Sequence, residues 1–427
     1  MTADSWENWS GSVQAEPAQI ASPQSETELA ALVARHDKVR VTGAGHSFMP
    51  LCETDGLLLR LDALEGEPTI SEDGATAWAP AGWSLAKLTQ WLWDRGYSLP
   101  NQGDVNPQSL AGAISTGTHG TGAELGSLAT IASGFRLMLA DGSVVECDPT
   151  ENETLFQAQR LSLGLLGIAL AIKIDILPAY HLEEHLEAIT MDALAERWDE
   201  LASGYRHVEF WAFPYADTAI LKTLHPCDEC PPPAKTTDMD EKAFALYCKT
   251  VSRMPKLTAS LQRQIMKQMK SSERRGPAYA IFPSDRNTRF EEMEHQLPRA
   301  NGFAALRTVI DWIRREKLPV SFPFEYRLVA GDDIWMSPFN AGPCASISMH
   351  QYAKMPWRDI FSEAEMIFRD HGGRPHWAKR HTLTHDDVQR LYPQTDAFRD
   401  ACRSADPHGK FANTALAELF QLGGSGS

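Results

Sequence analysis

The stretch VRVTGAGHSF, residues 39–48, constrains this chain more than any other. A strand-like run leads into a turn with Gly43 and Gly45, which would let backbone approach a phosphate closely. A doubly wound dinucleotide site needs a third glycine, then a helix whose N-terminus faces the pyrophosphate. Phe48 stands where that glycine belongs, and the following SFMPLCETDG contains Pro50 and no helical period. The doubly wound reading therefore fails on context, and the glycines alone would fit a plain tight turn. A second loop, TGTHGTG at 116–122, shifts the balance with unencumbered backbone amides and the hydroxyls of Thr116, Thr118 and Thr121. Successive amides in such turns form anion-binding concavities, so the two loops read together as the sides of one pyrophosphate clamp.

The rest of the chain must supply a core and a second ligand surface. At 427 residues two domains are the default. The net charge of −16 argues against nucleic acid or an anionic membrane as main partner. No apolar run approaches the roughly 20 residues of a membrane span. MTADSWENWSG lacks a signal peptide's basic start and apolar stretch, and the closing GGSGS (423–427) reads as an appended linker. Seven scattered cysteines suit a reducing compartment, so a cytoplasmic location is expected, as a monomer or small homo-oligomer.

SETELAALVARH reads as a helix capped by Ser25, with Glu28 three residues on. KVRVTG, GLLLRLDAL and TAWAPAG read as strands, and LAKLTQWLWDRG as a helix with Leu85, Leu88 and Leu92 on one face, stopped by Gly96. GFRLMLADGSVVEC is a hairpin around Asp141-Gly142, and SLGLLGIALAIKIDIL turns into a long buried strand that Pro178 ends. Beyond residue 180, VEFWAFPYA, AYAIFP and SFPFEYRLVA read as strands. RFEEMEHQL and AALRTVIDWIRREK read as helices, and 226–240 as a Pro-rich polar loop. This predicts an α+β second domain with one antiparallel sheet covered by helices.

Ionisable residues recur in apolar settings in that second half. Glu325 and Arg327 are two apart in FPFEYRL and share a strand face, as a functional pair or as a salt bridge. His350 lies in the apolar run SISMHQY, and RPHWAKRH sets His376 and Lys379 beside Trp377. No metal site is expected: Cys227 and Cys230 lack a second pair, and His381 and His385 lack the Glu of H-E-x-x-H.

Taken jointly, VTGAGHSF, SLAGAISTGTHGTG, HWAK and DPHGKFAN (406–413) resemble the aldonolactone oxidoreductases of the vanillyl-alcohol-oxidase flavoprotein superfamily, close to the alditol oxidases. The resemblance implies a PCMH-type FAD-binding domain of two α/β subdomains over residues 1–178, with a substrate-binding cap over 179–375. Residues 376–422 would return to the FAD domain. It implies FAD held covalently through His46 by a single link. Val41, Thr42, Gly43, Ala44, Gly45, Ser47, Phe48, Gly103, Asp104, Ser109, Gly112, Thr116, Gly117, Thr118, His119, Ile168 and His376 would be the other cofactor-binding residues. Glu325, Arg327, His350 and Lys379 match the family's active-site positions.

The implied reaction is oxidation of a sugar-1,4-lactone at the C2 hydroxyl, whose 2-keto product enolises to ascorbate in the L-gulono-1,4-lactone case. Asp104 favours a lactone, since the alditol oxidases have serine there, and polyols are the alternative substrates. Gly103, where dehydrogenases often have alanine, favours oxygen as acceptor and hydrogen peroxide as product, with a lactone dehydrogenase as the alternative. A flavin-bound protein without turnover is a competing class, against which the intact set of four active-site residues speaks.

Overall fold

The computed structural model describes residues 5–231, 239–284 and 287–422. The closing GGSGS and residues 232–238 of the Pro-rich loop lie outside the described residues. The strand Leu57–Leu59 is flanked by Gln19–Ala21 and Val39–Val41, all parallel. Three consecutive leucines are fully buried there because the strand is covered on both faces. The helix Glu26–Arg35 supplies the crossover, burying Leu29, Leu32 and Val33, and Ser25 Oγ accepts from the Glu28 N–H.

A second, five-stranded antiparallel sheet runs Val144–Cys147, Ala132–Met138, Ile168–Asp175, Thr76–Pro80, Thr69–Ile70. Gly142, at φ +85, makes its hairpin turn. The helix Leu85–Trp93 buries Leu85, Leu88 and Leu92 in the same core. Trp377, Tyr392, Phe398 and Phe420 join that core from the far end of the sequence.

The third sheet has eight antiparallel strands in the order Ser272–Pro277, His181–Thr190, Thr218–Cys227, His207–Ala212, Phe324–Val329, Cys344–Tyr352, Phe290–Pro298, Arg374–Pro375. Side chains alternate across it, and the two faces differ sharply. One face carries Phe210, Leu221, Met293, Leu297, Tyr326 and Ile347, packed with Leu194, Leu306 and Phe368 of the helices Met191–Gly204, Gly302–Glu316 and Arg358–Asp370. The opposite face carries Glu184, Glu209, Lys222, Glu292, Glu294, Glu325 and Arg327, all buried.

Two segments differ from the sequence reading. RFEEMEHQL is the strand Phe290–Pro298 rather than a helix. Phe290, Met293 and Leu297 mimic a helical spacing, but pairing with Cys344–Tyr352 over nine residues overrides it. AYAIFP is a single helical turn, Ala278–Ile281, following the strand that ends at Pro277. Ala278, Ile281 and Phe282 pack there on Leu182 and Leu224.

Candidate active site

Two cavities meet at His46, which lines both. The larger, about 460 Å³, is walled by the loop 43–47, by Val41, Thr42, Ser109, Gly112 and Thr116, and by Ile168. Its loop is held at both ends: the Thr42 N–H donates to Leu59 O at 2.9 Å, and the Phe48 N–H to Ala378 O at 2.7 Å. The two glycine loops touch here. A Cβ on Gly43 would stand 2.4 Å from Ser109 Oγ, the atom that caps the helix Leu110–Thr116. This cradle of close backbone, which even a methyl group would fill, fits the pyrophosphate of a dinucleotide. Arg40, Arg60 and Lys87 also line it and were not read from the sequence.

The smaller cavity, about 90 Å³, gathers Phe48, Gly103, Asp104, Thr118, His119, Glu325, Arg327, His350, His376 and Lys379. Gly117 lines neither cavity; at φ +77 it ends the helix Leu110–Thr116. Trp9, Phe290, Glu292 and Glu294 also line the smaller cavity and were missed. The glutamates sit on the strand misread as a helix, where the period-two pattern of Glu292, Glu294 and Gln296 was the available signal. The HWAK segment lies along that strand: the His376 N–H donates to Glu294 O at 3.0 Å and the Arg380 N–H to Glu292 O at 2.9 Å.

Glu294 is the hub. Its carboxylate accepts from Gln296 at 2.7 Å, Ser346 at 2.8 Å, Ser348 and Arg327 at 3.0 Å, and His119 Nε2 at 2.6 Å. His119 Nδ1 lies 2.7 Å from Gly120 O, so both ring nitrogens face acceptors. Burial pushes the Glu294 carboxyl up, but Arg327 and His119 outweigh it and hold it well below the usual range. Glu292 is likewise pushed up by burial and brought below the usual range by Lys379, with which it bonds, and by His350 at 3.3 Å. Glu325 accepts from Trp211 Nε1 at 3.1 Å and lies 3.5 Å from Arg327, so the salt-bridge and functional readings of that pair coexist.

Arg327 is pushed down by burial but raised further by Glu325 and Glu294, so it is permanently charged. Its buried Nε has no hydrogen-bond partner among the described residues, leaving a donor for a ligand oxygen. Behind it Glu209 is pushed up to about 7 by burial, with Lys222 pulling the other way. Lys222 sits 2.9 Å from Glu209, 3.6 Å from Glu184 and 3.9 Å from Asp104. Burial and the charge of Lys379 bring His46 down to about 4, and burial brings His376 down to about 3. Both rings are therefore neutral near pH 7.

A backbone cradle opening onto a buried, charged sheet face is the layout of a flavin-dependent oxidoreductase. The solved structure of cholesterol oxidase from B. sterolicum superposes with a TM-score of 0.79 at 15% identity, covering 97% of this chain and 96% of that one. That likeness concerns the fold. The sequence family described as FAD binding domain matches residues 17–148, and that described as D-arabinono-1,4-lactone oxidase matches 172–419. L-gulono-1,4-lactone dehydrogenase of Mycobacterium tuberculosis is 36% identical, over 96% of this chain and 97% of its own length. L-gulonolactone oxidase of the shark Scyliorhinus torazame and alditol oxidase of a Streptomyces strain are each 30% identical, over 97% of this chain and 98% of theirs. The chain belongs to the aldonolactone oxidoreductases, FAD-dependent enzymes of the vanillyl-alcohol-oxidase family. Among the described residues no helix is long and apolar enough to cross a membrane.

Proposed function

We propose that this enzyme oxidises the C2 hydroxyl of a sugar-1,4-lactone of the L-gulono-1,4-lactone type, with FAD attached through His46 and oxygen as acceptor. The observation that carries this reading is the convergence of Glu325, Arg327, His350 and Lys379 with His46 on one small cavity. When bound, FAD supplies a two-electron acceptor for the hydride leaving the substrate carbon. The protein supplies charge and proton transfer. Arg327 and Lys379 stabilise negative charge that develops at the reacting centre, and the buried setting strengthens that effect. Glu325 and His350 are the two groups placed to accept the hydroxyl proton. Glu292 and Glu294 touch Lys379 and Arg327 and hold the two cations in the cavity. His46, neutral by virtue of its burial, has the nucleophilic form of imidazole that a bond to the flavin requires.

Gly103 supports oxygen as acceptor. It lines the smaller cavity without a side chain, and a Cβ there would be tightly placed, 3.2 Å from His119 O and 3.5 Å from Thr118 Cγ2. The Mycobacterium tuberculosis relative is named a dehydrogenase, so a non-oxygen acceptor is the second reading. A panel of aldonolactones and alditols, run under oxygen and with a dye acceptor, separates the cases. L-gulono-1,4-lactone with stoichiometric hydrogen peroxide is the expected result. Xylitol or sorbitol outpacing every lactone would sink the substrate, and turnover with dye alone would sink the acceptor. On a denaturing gel the protein band should fluoresce yellow-green, and His46→Ala should abolish it.

A further inference from the structure

Residues 6–10, WENWS, take no part in the chemistry above, yet they lie against the loop that carries His46. Trp9 stacks on the His46 imidazole, with ring centroids 5.4 Å apart and planes inclined by 23°. Its backbone N–H donates to Gly45 O at 2.8 Å, and the Asn8 side-chain amide donates to Ser47 O at 3.0 Å. The residues on either side of His46 are thus tied to the same short segment. That segment is itself anchored, since Asn8 Oδ1 accepts from the backbone N–H groups of Ser12 and Val13 at 2.9 and 3.0 Å. Gly45, at φ +69, completes the close fit: a Cβ there would lie 3.5 Å from both Asn8 Cα and the Trp6 ring.

On its other side Trp9 meets Phe290 edge-on at 5.0 Å, and Phe290 in turn meets His350 at 4.9 Å. The indole is wedged between the FAD loop and the third sheet. Among the described residues no group hydrogen-bonds the His46 ring, so stacking is the contact that sets its plane. An imidazole on two rotatable side-chain bonds presents carbon or nitrogen to a ligand according to χ2, and an aromatic face restricts that choice.

We propose that Trp9 is a positioning residue for His46, holding the imidazole so that a ring nitrogen addresses the 8α carbon of FAD and so governing how fast the covalent link forms. This rests on the reading of His46 as the attachment residue. In the step, one proton leaves the 8α-methyl group and one leaves the imidazole nitrogen, and one carbon–nitrogen bond forms. The two electrons of the broken C–H bond remain on the flavin until oxygen removes them as hydrogen peroxide.

The full-length chain is prepared as wild type, Trp9→Leu, Trp9→Phe and His46→Ala, and incubated with excess FAD. Flavin retained by the acid-precipitated polypeptide is followed over time, beside total bound flavin by absorbance and fold by circular dichroism. Link formation should slow about tenfold in Trp9→Leu and about threefold in Trp9→Phe, the scale an aromatic pair commands, with total bound flavin unchanged. Trp9→Leu linking at the wild-type rate while His46→Ala links none would overturn the role of Trp9 alone. Acid-stable flavin in His46→Ala would overturn the attachment reading and this inference with it. Should Trp9→Leu bind no flavin, Trp9→Phe decides, and an unchanged rate there overturns the proposal.

Discussion

The two cavities share His46 and are built on opposite principles. The larger is shaped chiefly by loop backbone brought close at Gly43 and Ser109, with Arg40, Arg60 and Lys87 at its walls. The smaller is walled by ionisable side chains from one face of a sheet and from the segments laid against it, paired with one another across the cavity. A pyrophosphate keeps its shape and its two negative charges throughout, so fixed dipoles and a few basic side chains suit it. Moving a hydride and a proton needs concentrated charge where charge develops, and that charge must be compensated when nothing is reacting.

If that contrast holds, substitutions on the sheet face should cost most. Glu294→Ala leaves the buried Arg327 guanidinium with Glu325 as its one carboxylate within salt-bridge distance among the described residues and removes the partner of His119, and should cost about 3 kcal/mol of stability by denaturant titration. A loss below about 1 kcal/mol would mean that the network around Glu294 is dispensable. Lys379→Met should slow anaerobic flavin reduction about 10²–10³-fold with bound flavin unchanged, measured by stopped flow. An unaltered rate would remove Lys379 from the chemistry.

Acid should act next. Burial brings His207, His295 and His376 down to about 3 and His381 to about 4. Each is neutral in the folded state, so its contribution is present above the unfolded value and fades as pH falls below about 6.5. Glu209, raised to about 7, has the opposite sign: its contribution is complete below about 4.5 and fades as pH rises through 7. Four histidines outweigh one glutamate, so going from pH 7 to 6 should cost about 2 kcal/mol, read as a lower melting temperature. A higher melting temperature at pH 6 would break this balance. Gly43→Ala should have the smallest effect, about 1 kcal/mol of stability through the displaced Ser109 cap, with weaker flavin retention. Unchanged retention would mean that the two loops do not depend on their close approach.

The same contrast explains what could be read in advance. Backbone sites announce themselves, because glycine is the residue that lets main chain come this near, and GAGHS and TGTHGTG mark both loops. Glu325, Arg327, His350 and Lys379 were legible through resemblance, in strands or beside a tryptophan where charge is out of place. Glu292 and Glu294 were hidden because the three glutamates and the arginine of RFEEMEHQL look solvated, and sequence alone does not reveal that Arg327, His119 and Lys379 await them. Trp9 was equally silent. Its partners His46 and Phe290 are far along the chain, and a lone aromatic near the N-terminus has no period to betray it.

One strand end has a consequence for how the molecule comes into being. The Val39 N–H donates to Lys410 O at 2.9 Å, and the buried Arg40 guanidinium bonds Leu51 O, Leu163 O, Gly164 O and Phe411 O. The strand that feeds the first glycine loop is therefore locked by carbonyls as far apart in sequence as Leu51 and Phe411. A ribosome finishes the parallel sheet's leucines early, yet the lock is complete only after residue 411 has emerged. A nascent chain stalled before that point carries the strand 39–41 without its full set of carbonyl partners.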